Sequence, residues 1–519
     1  MQNITVQKLV LALVTLAGFL AAPWICSELL GGNTLPFSLL LGIGFLLIFV
    51  FIFKDKCWLS IPFCLPMGGS INILPIHFTP FELSILLVLG YFFLQFIMTD
   101  RRSLRFGPPG IWIPLLIIAV ILIYHWGRGG GIGLTMFGGD ASGGRRFFTI
   151  LSGILVFPVL LWFSSPEEKT LRMVPVMYVL GNLMEFLPWV ASTLAPAVAP
   201  MIYRFYTTVN LDAYSEAAGV SEIAIARYGP LGFIGLGIQV ALISYYPARL
   251  WVRPSHWFVP FLSMICLLAV IFSGFRSFLF NYCLVSFVAL FFSIRWTSLL
   301  LLPLGVIVVA IMCLGQGSAF ELPLSIQRTL SPLPGKWNSL ATGSADSSNE
   351  FRETIQKIYR DEFMDKAGWF GDGFKYDQSF MLDRALSFSE RWRMQGGEEQ
   401  ARGFIQVRDH HVGWVAAHHT MGTAGLIAFV FLCVDSLVLV FRSVAKVPLG
   451  KLSPPQVWSC ALIVQIIISY FTVFGSPHLF LPQLCVLLGI ALLSFQPPFS
   501  FHSPNFPAPW PASKGRTHD

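Results

Sequence analysis

Apolar residues run along this chain in blocks of about twenty, separated by short polar connections. A helix needs roughly that length to cross the hydrocarbon of a bilayer, where every backbone N–H and C=O must be paired within the segment. Blocks that meet the requirement lie near 9–26, 36–53, 81–98, 110–126, 147–163, 173–198, 229–246, 257–273, 278–294, 297–314, 421–441, 456–474 and 477–494. The block 57–79 is also apolar but is broken by Pro62, Pro66, Gly68, Gly69 and Pro75, so it is expected to cross as an interrupted helix or to lie re-entrant in protein. The pattern predicts an all-α polytopic membrane protein of about 12–14 transmembrane helices. The first block could pass for a signal peptide, but with more spans behind it an uncleaved first helix is expected.

Composition agrees. Of 519 residues, 55% are hydrophobic and 12% charged, against about 25% charged in soluble domains, and the mean hydropathy is +0.69. A soluble enzyme, a coiled coil and a disordered chain are excluded. The net charge of +7 is explained by placement, since Lys and Arg collect on the cytoplasmic side of membrane proteins, and no nucleic acid is needed as a partner. Nine cysteines lie in or beside apolar runs with no CxxC pair, which reads as small buried side chains.

Lys54, Lys56, Arg101, Arg102, Arg105, Lys169, Arg172, Arg249, Arg253, Arg295, Arg442, Lys446 and Lys451 fall on one side if the broken block crosses. That side is assigned to the cytoplasm, together with a Pro-rich tail over 496–519 expected to be disordered. Four regions follow: a membrane bundle over 1–315, a large, partly helical extracytoplasmic loop over 316–420, the last spans over 421–495, and the tail. The hydrophilic stretch 316–410 carries 12 basic and 14 acidic residues, a balanced subdomain rather than a basic arm. Arg128, Arg145, Arg146, Arg204, Arg227 and Arg276 sit outward, against the charge rule, and charges kept there are functional candidates. The competing explanation is contact with lipid headgroups, or pairing with Asp140 and Glu216.

Phe351, Ile355, Ile358, Tyr359 and Phe363 recur at helical spacing, as expected of an amphipathic helix lying on the bundle. A glycine turn follows at 368–374, and four of the ten histidines, His410, His411, His418 and His419, gather just before the span at 421–441. His411 and His418, seven apart, share a helical face as metal ligands would, but no HExxH pattern is present. An imidazole beside Asp409 acting as a general base, and a purely hydrogen-bonded cluster, are the other readings.

With these residues in place, the chain resembles the O-antigen ligase and polysaccharide polymerase family of bacterial inner-membrane glycosyltransferases. Arg352 to Met364 looks like the arginine-started helix of that family's periplasmic loop, and Trp369-Phe370-Gly371-Asp372-Gly373 looks like its glycine turn. His411-Val412-Gly413-Trp414-Val415 is similar to its histidine segment, and Met421-Gly422-Thr423-Ala424-Gly425-Leu426 to the glycine pair that follows. Ser273-Gly274-Phe275-Arg276-Ser277 and Arg227-Tyr228-Gly229 resemble two further arginine motifs. Val412 stands where the family has Asn, and Phe275 where it has Ser.

The resemblance implies a glycan donor on undecaprenyl diphosphate, an acceptor glycan or lipid, and inverting transfer without metal or cofactor. It makes His411 the base and sets Arg276 and Arg227 on the diphosphate. Asp409, His410 and Trp414 beside His411 are expected to contact the substrate, as are Arg145 and Arg146 at the end of the Gly-rich loop, which has no counterpart in the family. The large loop would then be periplasmic and the protein multi-pass in the inner membrane, among membrane lipids. A polysaccharide or lipid transporter, usually built from paired repeats with broken helices, is the alternative, and only one broken block is seen.

Overall fold

The computed structural model describes residues 53–71, 78–98, 107–128, 144–163, 167–207, 228–247, 250–251, 253–295, 302–374, 398–406, 408, 410–448 and 450–495. The blocks near 9–26 and 36–53, the Gly-rich stretch 129–143, Arg227, Asp409 and the tail lie outside them.

Within the described residues the bundle consists of α1 (Ser60–Cys64), α2 (Pro80–Met98), α3 (Pro109–Arg128), α4 (Arg145–Trp162), α5 (Glu168–Arg172), α6 (Val174–Leu194), α7 (Ala199–Phe205), α8 (Gly229–Tyr245), α9 (Phe258–Phe272), α10 (Arg276–Ile294) and α11 (Leu302–Gly315). The loop region adds α12 (Leu324–Leu330), α13 (Ser339–Ile358), a π turn (Tyr359–Phe363), α14 (Met364–Ala367) and α15 (Glu398–Gln406), and α16 (Gly413–Lys446), α17 (Pro454–Thr472) and α18 (Pro477–Phe495) complete the chain. Eight helices are long and apolar enough to cross a membrane, and α2 and α8 are shorter apolar ones. Proline opens α2, α3, α17 and α18, where its missing N–H has no helical partner to lose.

Helices α4, α17 and α18 are the most enclosed. Gly153 of α4 lies against Pro482 of α18, so the two backbones approach as only a residue without Cβ allows. The outer helices instead turn Leu116, Val120 and Ile123 of α3 and Phe431 and Val434 of α16 outward. In a bilayer these faces are covered by acyl chains.

The long helices alternate in direction. At one end Tyr245 donates to the Arg172 carbonyl, Arg295 reaches the Val444 carbonyl, and Gln456 donates to Ser494. Lys54, Lys56, Arg253, Arg442, Lys446 and Lys451 belong to this basic end. At the other, Arg145 meets Glu82, His125 meets the Phe370 carbonyl, and Tyr470 donates to Gly413. The described part of 316–412 folds over that second end, with Ile355, Ile358, Tyr359, Ala401, Ile405, Val412 and Val415 forming a small core of their own.

The broken block is broken in the structure as well. A 3-10 turn (Lys54–Leu59) and α1 end at Leu65, and β1 (Ser70–Ile71) pairs antiparallel with β2 (Tyr206–Thr207), Ser70 opposite Thr207. The α1 backbone passes so close to α6 that a Cβ on Gly181 would strike the Phe63 carbonyl.

Glu82 has three tasks. It closes a capping box with Thr79 at the start of α2, pairs with Arg145 at 3.0 Å, and accepts from Thr149. Both members of the pair are buried, with Glu82 3% and Arg145 11% exposed. Removing one partner strands the other charge, so Glu82→Ala is expected to lower stability by roughly 3–5 kcal/mol. Glu82→Leu combined with Arg145→Met should recover most of that loss in thermal unfolding of the purified protein in detergent.

Candidate functional site

Two glycine segments, some fifty residues apart in sequence, meet at the loop end. Helix α16 breaks at Gly422, whose φ of 69° and ψ of −172° lie outside any helix. A break there strips neighbouring amides and carbonyls of their helical partners, and such groups are costly in a dry environment. The 368–373 turn supplies replacements: Asp372 N donates to the His419 carbonyl at 2.9 Å and Gly373 N to that of Thr420 at 3.0 Å, while Thr423 N and Ala424 N donate to Gly368 and Trp369 at 3.1 and 3.0 Å. Gly371 and Gly422 face each other backbone to backbone, and both have positive φ, so neither tolerates a side chain.

This seam organises the histidines into separate groups. His410 is 1% exposed and His419 likewise, and they share a hydrogen bond of 2.6 Å. Arg408 donates to His419 Nδ1 at 2.7 Å and lies 3.5 Å from the Asp372 carboxylate. Arg146 in turn reaches the Arg408 carbonyl at 3.4 Å and lies over the Phe374 ring. Burial, then the positive charges of Arg408 and Arg146 and the neighbouring His411, hold the His410 imidazole well below its ordinary pKa of 6.5. It is therefore neutral at neutral pH.

His418 belongs to a second chain of bonds. Its Nδ1 lies 2.7 Å from the Tyr359 hydroxyl and its Nε2 3.1 Å from Thr423 Oγ1, which itself donates to the Gly368 carbonyl. Because the Thr423 proton is committed to Gly368, Nε2 carries the His418 proton and Nδ1 accepts from Tyr359. Tyr359 opens the π turn and is fully buried, its ring 6.2, 5.9 and 5.1 Å from those of His410, His418 and His419. Burial pushes its phenol pKa up, so it stays a donor. A π turn shifts the facing of a helix by a fraction of a turn, and nothing in the apolar stripe announced it.

His411 points elsewhere. Its backbone φ is 53°, a strained conformation for a residue with a side chain. Its ring is half-buried among Phe351 of α13, Phe404 of α15 and Phe474, at centroid distances of 6.4, 5.3 and 5.0 Å. Arg276 opens α10 and donates to the Ala345 carbonyl at 2.9 Å and to Asn349 Oδ1 at 3.3 Å, both on α13. The same helix thus carries the contacts of Arg276 and a wall of the His411 pocket, with Asn349 and Phe351 about 3 Å apart along the axis and about 160° apart around it. Tyr359 is ten residues beyond Asn349, so the buried histidines lie about 15 Å further along.

Of the residues expected from sequence, His411 and Arg276 both contact α13, on different faces of the helix. Arg145 is neutralised by Glu82, Trp414 packs edge-on to Tyr359 in the loop core, and His410 is enclosed. Arg146 reaches the seam through Arg408. Arg227 and Asp409 lie outside the described residues, but Tyr228, the next residue in the Arg227 motif, donates to the Ser273 carbonyl at 2.9 Å, so the two arginine motifs adjoin. Tyr359, Asp372, Arg408, His418 and His125 were not singled out as site residues. The His418-His419 pair was the one available signal. Among the described residues no group of three His, Cys, Asp or Glu side chains is disposed to hold a metal.

No family model matches the chain, and no curated protein matches it.

Two tests follow from the seam. A folded-state His410 pKa below 6.5 stabilises the protein above that pH and withdraws the contribution as pH falls. The melting temperature of the purified protein should therefore drop below about pH 6.5, and drop less in His410→Gln. Gly422→Ala should cost more than the ~1 kcal/mol typical of helix substitutions, read from the same melting curves, whereas Gly343→Ala on α13, where a Cβ meets nothing within 4 Å, should not.

Proposed function

We propose that the chain is an integral-membrane glycosyltransferase, O-antigen ligase-like or polysaccharide polymerase-like, that moves a glycan from an undecaprenyl diphosphate carrier to an acceptor sugar hydroxyl. In this reading the basic end faces the cytoplasm of a bacterial inner membrane and the loop end faces the periplasm. The observation that carries it is the shared helix: α13 holds Arg276 through Ala345 and Asn349 and backs His411 through Phe351.

The chemistry suits those two groups. The acceptor oxygen attacks the anomeric carbon and gives its proton to the His411 imidazole. The bond from that carbon to the phosphate oxygen breaks on the opposite face, its electron pair leaving with the diphosphate, so the anomeric centre inverts. A guanidinium is permanently charged and binds phosphate oxygens in pairs, which stabilises the leaving diphosphate as its charge develops. The phenyl rings around His411 keep water from one side of the imidazole and favour the sugar hydroxyl as its proton donor. The buried His410–His419–Arg408 network holds the residue before His411 in place. Its part is to position.

The reading is tested with purified protein, lipid-linked glycan and acceptor. His411→Ala is expected to reduce transfer by about 10² to 10⁴, and Arg276→Ala by about 10² to 10³, with melting temperatures close to wild type. Near-normal transfer by either variant would remove that residue from the mechanism.

A further inference from the structure

The 368–373 turn carries two large rings on its outside: Trp369 is 68% exposed and Phe370 56%. Left in water, adjacent aromatic side chains forfeit the burial that stabilises them elsewhere. The backbone fixes where this tip lies. The Trp369 carbonyl accepts from Ala424 N of α16, and the Phe370 carbonyl lies 2.7 Å from His125 Nε2 of α3, so the tip bridges the loop ends of two outer helices. Those helices carry the stripes that face the bilayer, Leu116, Val120 and Ile123 on α3 and Ile427, Phe431 and Val434 on α16. The α3 stripe runs without a break into Tyr124, which is exposed and whose ring lies 6.4 Å from that of Phe370. The 20 residues of α3 span about 30 Å, which is the thickness of the hydrocarbon. Its last turn, Tyr124 to Arg128, therefore falls at headgroup level, and the tip beside it does too. Charge is placed to match. Arg128 donates to the Tyr124 hydroxyl at 2.8 Å, Lys366 lies over the Phe363 ring, and both cations are exposed. Asp365, next to Lys366, is exposed as well, so the pair suits the phosphate that every phospholipid carries and needs no net anionic surface.

We propose that Trp369 and Phe370, together with Tyr124, dock in the headgroup layer of the leaflet at the loop end, with phospholipid as the partner that covers them. Tryptophan and tyrosine favour that layer because one edge of the ring is apolar and the other bonds to lipid carbonyls and interfacial water. Continuity decides for lipid: the same side of the molecule is already bilayer-facing along α3 and α16. Lipid and seam then support each other. The bilayer holds the tip, and the backbone bonds of the turn hold the break in α16. The inference stands whether or not the chain transfers a glycan.

The experiment uses the full chain in nanodiscs of phosphatidylcholine. The fluorescence of Trp369 is taken as the difference between wild type and Trp369→Phe, a conservative variant whose melting temperature should match. Expected is emission to the blue of water-exposed tryptophan, quenched by phosphatidylcholine brominated near the carbonyl end of its chains and little affected by aqueous iodide. Hydrogen exchange at the Asp372 and Gly373 amides, which bond across the seam, should quicken in Trp369→Ser and stay unchanged in Leu340→Ser, an exposed apolar position on the first turn of α13. Quenching by iodide with none by brominated lipid overturns the proposal and leaves this face to a protein partner. Exchange in Trp369→Ser as slow as in wild type overturns it as well, since a tip held by lipid loosens when its anchor is removed.

Discussion

Where α16 breaks, backbone groups that a helix would have paired internally must find partners in a part of the molecule with little water, and the 368–373 turn is what meets them. Four backbone hydrogen bonds and a glycine-on-glycine contact at Gly371 and Gly422 tie the loop to the bundle. Everything at the loop end is referenced to that seam. Asp372 is placed by it against Arg408 and His419, Thr423 against His418, and the end of α13 against the start of α16. A flexible loop resting on a bundle would leave these groups to drift, whereas a turn that completes a broken helix cannot leave without exposing the break.

The charges at this end are arranged in two ways. Arg145 and Arg408 are buried, and each has a carboxylate, so their desolvation is offset locally. Arg276 and Arg352 are half-buried, and among the described residues neither forms an ion pair with a carboxylate. Buried cations near a neutral histidine also explain why His410 is unsuited to accept a proton, since Arg408 and Arg146 oppose a third positive charge. His411, one residue on, faces aromatic rings instead, and the left-handed backbone at 411 is what turns the two side chains apart. Adjacent histidines thus take different environments through one dihedral angle.

Much of the fold was legible in the sequence because the bilayer imposes a length and a composition on each crossing segment. The apolar blocks from 81–98 onward fall on observed helices, and proline at the first turn marks several starts. The segment around 57–79 was read as interrupted from its prolines and glycines, and it is. Of the candidate site, the sequence singled out the outward arginines and the histidine cluster, but not the contacts each of them makes. Arg145 stood among the outward arginines kept against the charge rule, and among the described residues it pairs with Glu82 on α2. Trp414, expected to contact the substrate, packs edge-on against Tyr359.

By itself, then, the sequence determined the membrane class, the alternation of helices and the gathering of basic residues at one end, because these follow from local runs of apolar and charged residues. Tertiary structure alone decided which arginine is neutralised and which histidine is enclosed, because each depends on partners far off in the sequence, Glu82 for Arg145 and Tyr359 beside His410. The π turn at Tyr359 belongs with these, since it re-aims a helix without changing the spacing by which the helix is recognised.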